Sequence, residues 1–177
     1  MCERFTLLLG GASSGKSSAA EKICVSSGLD RIYLASAQLY DEEMRTKAAQ
    51  HRTDRGPDWR TIEEPLNASE VIFSASDGEI LLFDCATMWL TNHLLAENDL
   101  IAESARLMEA LRETRARVVV VSNEVGLGIV PENALARRFR IEQGALNAQL
   151  AGAADCVVGV MAGLPFVLKG AMPEALG

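Results

Sequence analysis

Short runs of consecutive apolar residues alternate along the chain with longer stretches in which apolar positions recur at helical spacing. An uninterrupted apolar run is typical of a strand that is buried on both faces, as in a parallel sheet covered by helices. Such runs predict strands at 5–9, 31–35, 80–83, 118–121 and 156–161, with short extended segments at 59–63 and 166–168. The helical spacing predicts helices at about 17–27, 41–52, 67–75, 87–96, 101–115 and 131–154. This alternation indicates an α/β fold with a mostly parallel sheet covered by helices.

Length and composition are those of one globular domain. The chain has 177 residues, of which 49% are hydrophobic and 23% charged, and it contains no linker, repeat or low-complexity segment. We therefore predict a single domain spanning 1–177. The net charge is −7 and aromatic residues make up only 5% of the chain, so a nucleic acid is not an expected partner.

Cysteine usage and hydropathy predict a cytoplasmic protein. The four cysteines form no C-x-x-C pair and no metal-ligand pattern with histidine, which indicates reduced thiols: Cys2, Cys24, Cys85 and Cys156. No apolar stretch reaches the length of about 18 residues that a membrane span needs. The N-terminus also lacks the pattern of a signal peptide.

One motif carries clear chemistry. The segment Gly10-Gly11-Ala12-Ser13-Ser14-Gly15-Lys16-Ser17 matches G-x-x-x-x-G-K-[ST] and lies between a predicted strand and a predicted helix. The glycines let backbone N–H groups surround a phosphate, Lys16 can reach the β- and γ-phosphates, and Ser17 can bind Mg²⁺. This predicts a nucleoside triphosphate site. A dinucleotide-binding fold is disfavoured, because Gly126-Leu127-Gly128 lacks the third glycine of that motif.

A phosphate loop of this kind works with an acidic residue at the end of a neighbouring strand. Asp84 directly follows the predicted strand 80–83, and we expect it to hold Mg²⁺ together with Ser17. The alternative is that Asp84 caps the helix that begins near Ala86, and both roles are compatible.

A basic segment surrounds one of the two histidines. Residues 45–60 contain five of the 17 basic residues: Arg45, Lys47, Arg52, Arg55 and Arg60. Charge alone favours a solvated helix face that is balanced by the acidic residues at 41–43. His51 is then either a packed or solvent-facing residue or, since neutral imidazole is a good nucleophile, a group that attacks phosphorus. His93 is predicted to be structural.

Eight stretches follow one another in the order and spacing of a known family: Gly10–Ser17, Ala35–Gln38, Asp41–Met44, His51-Arg52, Trp59–Glu63, Phe83–Cys85, Ser122–Pro131 and Gly163–Pro165. On these residues the chain resembles the bifunctional adenosylcobinamide kinase / adenosylcobinamide-phosphate guanylyltransferase of cobalamin biosynthesis, over about residues 5–170. Many families share the phosphate loop. The N-E-V-G-x-G-I-V-P segment and the H…W-x-T-x-E spacing are far more specific.

The resemblance implies a RecA-like P-loop fold and two reactions. In the first, ATP or GTP phosphorylates the aminopropanol hydroxyl of adenosylcobinamide. In the second, His51 attacks the α-phosphate of GTP and expels pyrophosphate, and the resulting GMP-histidine passes GMP to adenosylcobinamide phosphate, giving adenosylcobinamide-GDP. The implied nucleotide contacts, in addition to the phosphate loop, are Ala35, Ser36, Ala37, Arg52, Thr53, Asp54, Arg55, Glu63 and Asp84. A homotrimer is also implied.

The chain departs from the family pattern at three positions. Ser36 stands where the family usually has Thr, Ala37 stands where Ser is common, and Ile141 stands where Asp is usual. The change at Ala37 removes a hydroxyl contact. The change at Ile141 removes any salt bridge that the family makes there.

Two reactions at different phosphorus atoms require two arrangements of nucleotide and protein. We therefore expect the helix and loop that carry His51 to move when GTP binds, with a hinge near Gly56-Pro57. At Asn123-Glu124 two roles remain open: the pair faces substrate or metal, or Glu124 anchors its loop to a backbone amide. Gly126 and Gly128 are expected to serve backbone conformation.

Two other functions are weighed against this one. A P-loop ATPase that couples hydrolysis to partner binding has no need of His51. An ordinary small-molecule kinase forms no covalent enzyme species.

Overall fold

The computed structural model describes residues 3–38 and 55–177, so the predicted helix at 41–52 lies outside the described residues. Within them, seven strands form one sheet: β1 (Phe5–Gly10), β2 (Asp30–Ala35), β3 (Trp59–Glu63), β4 (Glu79–Asp84), β5 (Arg117–Asn123), β6 (Cys156–Met161) and β7 (Leu164–Lys169). Their order is β3-β2-β4-β5-β1-β6-β7. All neighbouring pairs are parallel except β6 and β7. The predicted mostly parallel sheet is confirmed.

Five helices and one 3₁₀ turn cover the sheet in the described part of the chain: α1 (Lys16–Ser26), α2 (Ala68–Ser74), α3 (Ala86–Leu95), α4 (Leu100–Glu113), α5 (Ala134–Ala153) and the 3₁₀ turn Glu174–Leu176. The start of α5 differs from the prediction, which placed it at Pro131. Asn133 has an extended backbone and its side chain accepts a hydrogen bond from the amide of Ala136. Asn133 is therefore the N-cap, and the helix begins three residues later than predicted.

The sheet separates two apolar clusters. Leu8 and Leu82 face α1, whereas their neighbours Leu7 and Leu81 face α2 to α5. Each of these four side chains is completely buried, and burial of one such side chain contributes about 1.5–3 kcal/mol. Because both faces are covered, successive strand residues are apolar. This is the physical basis of the uninterrupted runs in the sequence.

Parallel pairing brings the carboxyl ends of five strands, β1 to β5, to one edge of the sheet. In the register, Gly10 is opposite Asn123, and Ala35 lies between Asp84 and Glu63. Motif residues from five separate parts of the sequence therefore meet at this edge, where open α/β sheets bind ligands. Among the described residues, no helix is both long enough and apolar enough to cross a membrane.

Candidate active site

The phosphate loop runs from the end of β1 into the first turn of α1. Two of its residues have left-handed backbone conformations, Ser13 with φ of 54° and Gly15 with φ of 98°. The loop is held at its centre by a hydrogen bond from the amide of Gly163 to the carbonyl oxygen of Ser14, at 2.9 Å. Gly10 has no room for a side chain, because a Cβ there would collide with the carbonyl oxygen of Val160. The glycines thus permit a compact loop that an ordinary residue would distort.

Lys16 lies at the centre of this loop and is only 6% exposed. Its Nζ donates to the carbonyl oxygen of Gly11 at 2.6 Å and contacts the Oγ of Ser14 at 3.4 Å. Burial lowers the pKa of Lys16, and the electrostatic influence of Cys85 and then of Asp84 partly offsets this effect. The ammonium group thus lies inside the loop and within electrostatic range of the acid at the end of β4, where it can bind the outer phosphates of a nucleotide.

Asp84 is half-buried at the last position of β4. It does not cap the following helix, because the N-cap residue of α3 is Cys85 and no side chain makes a cap hydrogen bond there. The Oδ2 of Asp84 accepts a hydrogen bond from the hydroxyl of Tyr33 at 3.1 Å. Burial, followed by the charge of Asp84, raises the pKa of Tyr33 above its ordinary value of 10.0, so the phenol stays a donor.

Oxygen atoms at this edge fit the predicted Mg²⁺. Asp84 offers a carboxylate and Ser17, exposed in the first turn of α1, offers a hydroxyl. Within residues 3–38 and 55–177 there is no group of three or more His, Cys, Asp or Glu residues that could hold a metal ion. Mg²⁺ would therefore take its remaining ligands from nucleotide phosphates and water, as is usual for this ion in nucleotide sites.

The hydroxyl, the amide and the carbonyl oxygen of Ser36 each form hydrogen bonds with neighbouring residues. Its hydroxyl donates to the carbonyl oxygen of Cys85 at 2.7 Å and accepts from the amide of the same residue at 3.0 Å. Its own amide donates to the carbonyl oxygen of Asp84 at 3.3 Å, and its carbonyl oxygen accepts from Asn92 at 2.7 Å. The side chain is completely buried. Because Ser36 is completely buried, the direct contact with nucleotide that the resemblance implies would require neighbouring groups to move, whereas Ala35 and Ala37 are partly exposed beside it.

The structure describes two of the remaining predicted contacts. Arg55 places its guanidinium over the ring of Tyr33, 3.5 Å from the ring centre, and its side chain is 6% exposed. Glu63 is exposed at the end of β3, next to Ala35 in the register. The other predicted residues of this segment lie outside the described residues: His51, Arg52, Thr53 and Asp54. Their roles stay predictions.

Glu124 anchors the loop that follows β5. Its Oε1 accepts a hydrogen bond from the amide of Gly126, and its own amide donates to the carbonyl oxygen of Gly10 at 2.9 Å. Of the two roles left open by the sequence, the structure shows the backbone anchor. A Cβ at Gly126 would approach the Oε1 of Glu124 to 2.7 Å, which agrees with the conformational role predicted for this glycine.

His93 is a structural residue, as predicted. It is 2% exposed, and its Nε2 lies 3.0 Å from the carbonyl oxygen of Leu66. Its Nδ1 lies 2.9 Å from the side-chain amide nitrogen of Asn98. The Asn98 amide donates to Nδ1, so Nε2 carries the proton and donates to Leu66. Both ring nitrogens are therefore engaged in holding α3 to the loops around it.

A comparison with protein families decides the assignment. The family described as cobinamide kinase / cobinamide phosphate guanyltransferase matches residues 6–168. The chain belongs to this family. The resemblance seen in the sequence is thereby confirmed, and with it the predicted kinase and guanylyltransferase functions in cobalamin biosynthesis at the level of the family.

Two relatives extend over almost the whole chain. The bifunctional adenosylcobalamin biosynthesis protein CobP of Pseudomonas aeruginosa is 46% identical over 167 residues, which are 93% of this chain and 96% of that protein. The bifunctional adenosylcobalamin biosynthesis protein CobU of Escherichia coli is 37% identical over an alignment of 179 positions, which covers 92% of this chain and 98% of that protein. The match therefore includes both the phosphate loop and the histidine segment of this family member.

Solved structures share the fold at low sequence identity. The RadB recombinase superposes with a TM-score of 0.56 at 17% identity, covering 96% of this chain and 82% of its own. An ATPase from a type III secretion system superposes with a TM-score of 0.53 at 13% identity, covering 98% of this chain and 60% of its own. These likenesses confirm the predicted P-loop NTPase fold for the cobinamide kinase family member.

Ile141, a departure from the pattern of the cobinamide kinase family, lies on the surface of α5. Its side chain is 71% exposed. It therefore takes no part in the packing that supports the phosphate loop.

Two residues that the structure brings to the site were not predicted from the sequence, Tyr33 and Asn147. Tyr33 lies on the same face of the sheet as Asp84, but only the strand register reveals this.

Proposed function

We propose that the chain catalyses both reactions of its family, with ATP or GTP bound in the phosphate loop. The observation that carries the proposal is that buried Lys16 lies inside the loop, within electrostatic range of Asp84 at the end of β4. This arrangement supports binding of a triphosphate with Mg²⁺ at Ser17 and Asp84. Bound Mg²⁺ would neutralise charge on the β- and γ-phosphates.

In the kinase reaction, the aminopropanol hydroxyl of adenosylcobinamide attacks the γ-phosphorus. The bond from the γ-phosphorus to the bridging oxygen breaks, the nucleoside diphosphate leaves, and the proton of the hydroxyl is released to water. Backbone N–H groups of the loop bind the phosphates, and Lys16 stabilises the charge that develops on the transferred group. Because these donors are already fixed by the fold, little reorganisation accompanies the transfer.

In the guanylyltransferase reaction, the imidazole of His51 attacks the α-phosphorus of GTP and pyrophosphate leaves. A phosphate oxygen of adenosylcobinamide phosphate then attacks the GMP-histidine, which forms adenosylcobinamide-GDP and restores free His51. The match to the family supports this role for His51. The same match supports nucleotide contacts from Arg52, Thr53, Asp54, Arg55 and Glu63. A change of position of the His51 segment on GTP binding would let one loop serve both phosphorus atoms.

We further propose a homotrimer in the cytoplasm. Several large apolar side chains lie on the surface, including Ile129 at 96% and Leu164 at 71% exposure. Exposed apolar groups of this size support an interface between protein chains. Light scattering on the purified chain tests the trimer.

The cysteines support the cytoplasmic location. Free thiols are found at Cys24, Cys85 and Cys156, which agrees with a reducing compartment.

Labelling with GTP tests the covalent step. The protein is incubated with GTP labelled at the α-phosphate, denatured and examined for bound label. We expect an adduct that is labile in acid and stable in base, as a phosphoramidate on histidine is. GTP labelled at the γ-phosphate is the matched control and should leave no label at His51.

The variant His51→Ala separates the two reactions. It should lose the adduct while it still binds GTP and phosphorylates adenosylcobinamide. An adduct that persists in His51→Ala would contradict the role of this residue. A folded wild-type protein that is active as a kinase but never labelled would be an ordinary small-molecule kinase, and one that only hydrolyses nucleotide would be a P-loop ATPase.

A further inference from the structure

Tyr33 lies beside the acid that we assign to the metal, in a position fixed by strand pairing. In the register of β2 and β4, Tyr33 is opposite Leu82, and Ala35 is opposite Asp84. Side chains two residues apart on a strand point to the same face, so Tyr33 and Asp84 are diagonal neighbours on the face covered by α1. A long side chain can span this diagonal, and the hydroxyl of Tyr33 reaches the Oδ2 of Asp84 at 3.1 Å.

The ring of Tyr33 is held from two sides. The guanidinium of Arg55 lies 3.5 Å from the ring centre, and Trp59 meets the ring edge-on with 6.2 Å between ring centres. Arg55 is itself within 3.8 Å of the carboxylate of Glu21 on α1. The phenol is thus packed between a cation and an aromatic neighbour, and its hydroxyl has little freedom to leave Asp84.

A carboxylate whose one oxygen accepts a fixed hydrogen bond is restricted in rotation about its own side-chain bonds. We propose that Tyr33 is a positioning residue that holds Asp84 in the orientation required to bind Mg²⁺ with the nucleotide. Partners of this kind orient metal ligands in many proteins, and their loss weakens metal binding by about 10–100-fold. The inference rests on the assignment of Asp84 to the metal in the proposed function.

The variant Tyr33→Phe removes the hydroxyl but keeps the ring between Arg55 and Trp59. Binding of a fluorescent N-methylanthraniloyl-GTP is measured as Mg²⁺ is titrated, and again in EDTA. We expect the Mg²⁺ concentration that gives half of the maximal increase in nucleotide binding to rise about tenfold. The affinity for the fluorescent nucleotide in EDTA should change less than twofold. Ser74→Ala, which removes an exposed hydroxyl from α2, should leave both quantities unchanged.

Asp84→Asn is measured alone and together with Tyr33→Phe. If Tyr33 acts through Asp84, the double variant should show the same Mg²⁺ dependence as Asp84→Asn alone. A shift in Asp84→Asn without one in Tyr33→Phe, or two shifts that add, would overturn the positioning role and leave the proposed function intact. An unchanged Mg²⁺ dependence in Asp84→Asn would overturn both assignments. The comparison with Asp84→Asn remains decisive even if Tyr33→Phe lowers the melting temperature.

Discussion

Ser36 and Cys85 tie the carboxyl ends of β2 and β4 together through two hydrogen bonds, at 2.7 and 3.0 Å, between the Ser36 hydroxyl and the backbone of Cys85. Both residues are buried. Because Asp84 directly precedes Cys85, these two hydrogen bonds fix the end of β4 that carries the proposed metal ligand. Ser36, which stands where the family usually has Thr, keeps the hydroxyl that forms both bonds.

Replacement of Ser36 by Ala should therefore destabilise the fold. The variant leaves the buried N–H of Cys85 without a partner, whereas the Cys85 carbonyl oxygen keeps the hydrogen bond from the amide of Trp89. The expected cost is about 1–3 kcal/mol in the free energy of unfolding. Urea denaturation measures this cost. Ser74→Ala deletes an exposed hydroxyl that donates to the carbonyl oxygen of Val71 in its own helix, and it should change stability by less than about 0.5 kcal/mol. If the two variants lost equal amounts of free energy of unfolding, the hydrogen bonds between Ser36 and Cys85 would not have the stabilising role described.

The buried charge of Lys16 should favour nucleotide binding and oppose folding. Replacement by Met keeps the length of the side chain but removes donors that form charge-assisted hydrogen bonds with phosphate, so GTP affinity should fall by about 10–100-fold. The free energy of unfolding should not fall with it, because burial of the ammonium group is unfavourable. A strong loss of stability in Lys16→Met would contradict this interpretation.

The same residue predicts a dependence on pH. Burial lowers the pKa of Lys16 in the folded state below its ordinary value of 10.5, so between these two values the unfolded chain binds more protons than the folded one. The free energy of unfolding of the wild type should therefore rise relative to Lys16→Met as the pH increases through that interval, and the difference should be constant below it. Urea denaturation of both proteins across alkaline pH measures the difference.

Gly15 should be required for the shape of the phosphate loop. Its φ of 98° is strained for other residues, and a Cβ would lie 3.2 Å from the Cα of Gly163. We expect Gly15→Ala to lower the free energy of unfolding by about 1–2 kcal/mol and to abolish binding of fluorescent GTP. Gly144→Ala, in the interior of α5 with nothing within 4 Å, should instead stabilise the fold by about 0.5–1 kcal/mol. Full nucleotide affinity in Gly15→Ala would refute the requirement.

The sequence predicted what depends on local pattern. Strands buried on both faces appear as apolar runs, and the phosphate loop has a fixed spacing, so β1 and α1 were predicted to within one residue at each end. The contact of Tyr33 with Asp84 joins residues 51 positions apart and depends on the register of two strands. A register cannot be obtained from apolar runs without alternation, because every shift keeps an apolar residue on each face.

At the start of α5 two local signals competed, and the predicted first residue of the helix was wrong. Pro131 is a favoured first residue of a helix, but Asn133, two residues later, is the better N-cap and determines where α5 begins. At Glu124, a role at the site and a backbone anchor use the same carboxylate, and the sequence gives no means to distinguish them. The bond to Gly126 in the structure identifies the anchor.

Asn147 links α5 to the end of β5 through a buried polar network. Its Oδ1 accepts from Ser122 at 2.6 Å and from Gln143 at 2.9 Å, and its amide donates to the carbonyl oxygen of Asn123 at 3.0 Å. Asn123 is opposite Gly10 in the register, so the network supports the end of β5, which is paired with the strand that leads into the phosphate loop.

Replacement of Asn147 by Ala should thus reduce both stability and nucleotide affinity. The loss of three hydrogen bonds in a buried position should cost about 2–4 kcal/mol in the free energy of unfolding. Fluorescent GTP should bind several-fold more weakly, because β5 is no longer fixed beside the loop. Gln149→Ala, on the exposed side of the same helix, removes a similar amide and should change neither quantity. Loss of stability in Asn147→Ala with unaltered GTP affinity would show that the network supports the core but not the phosphate loop.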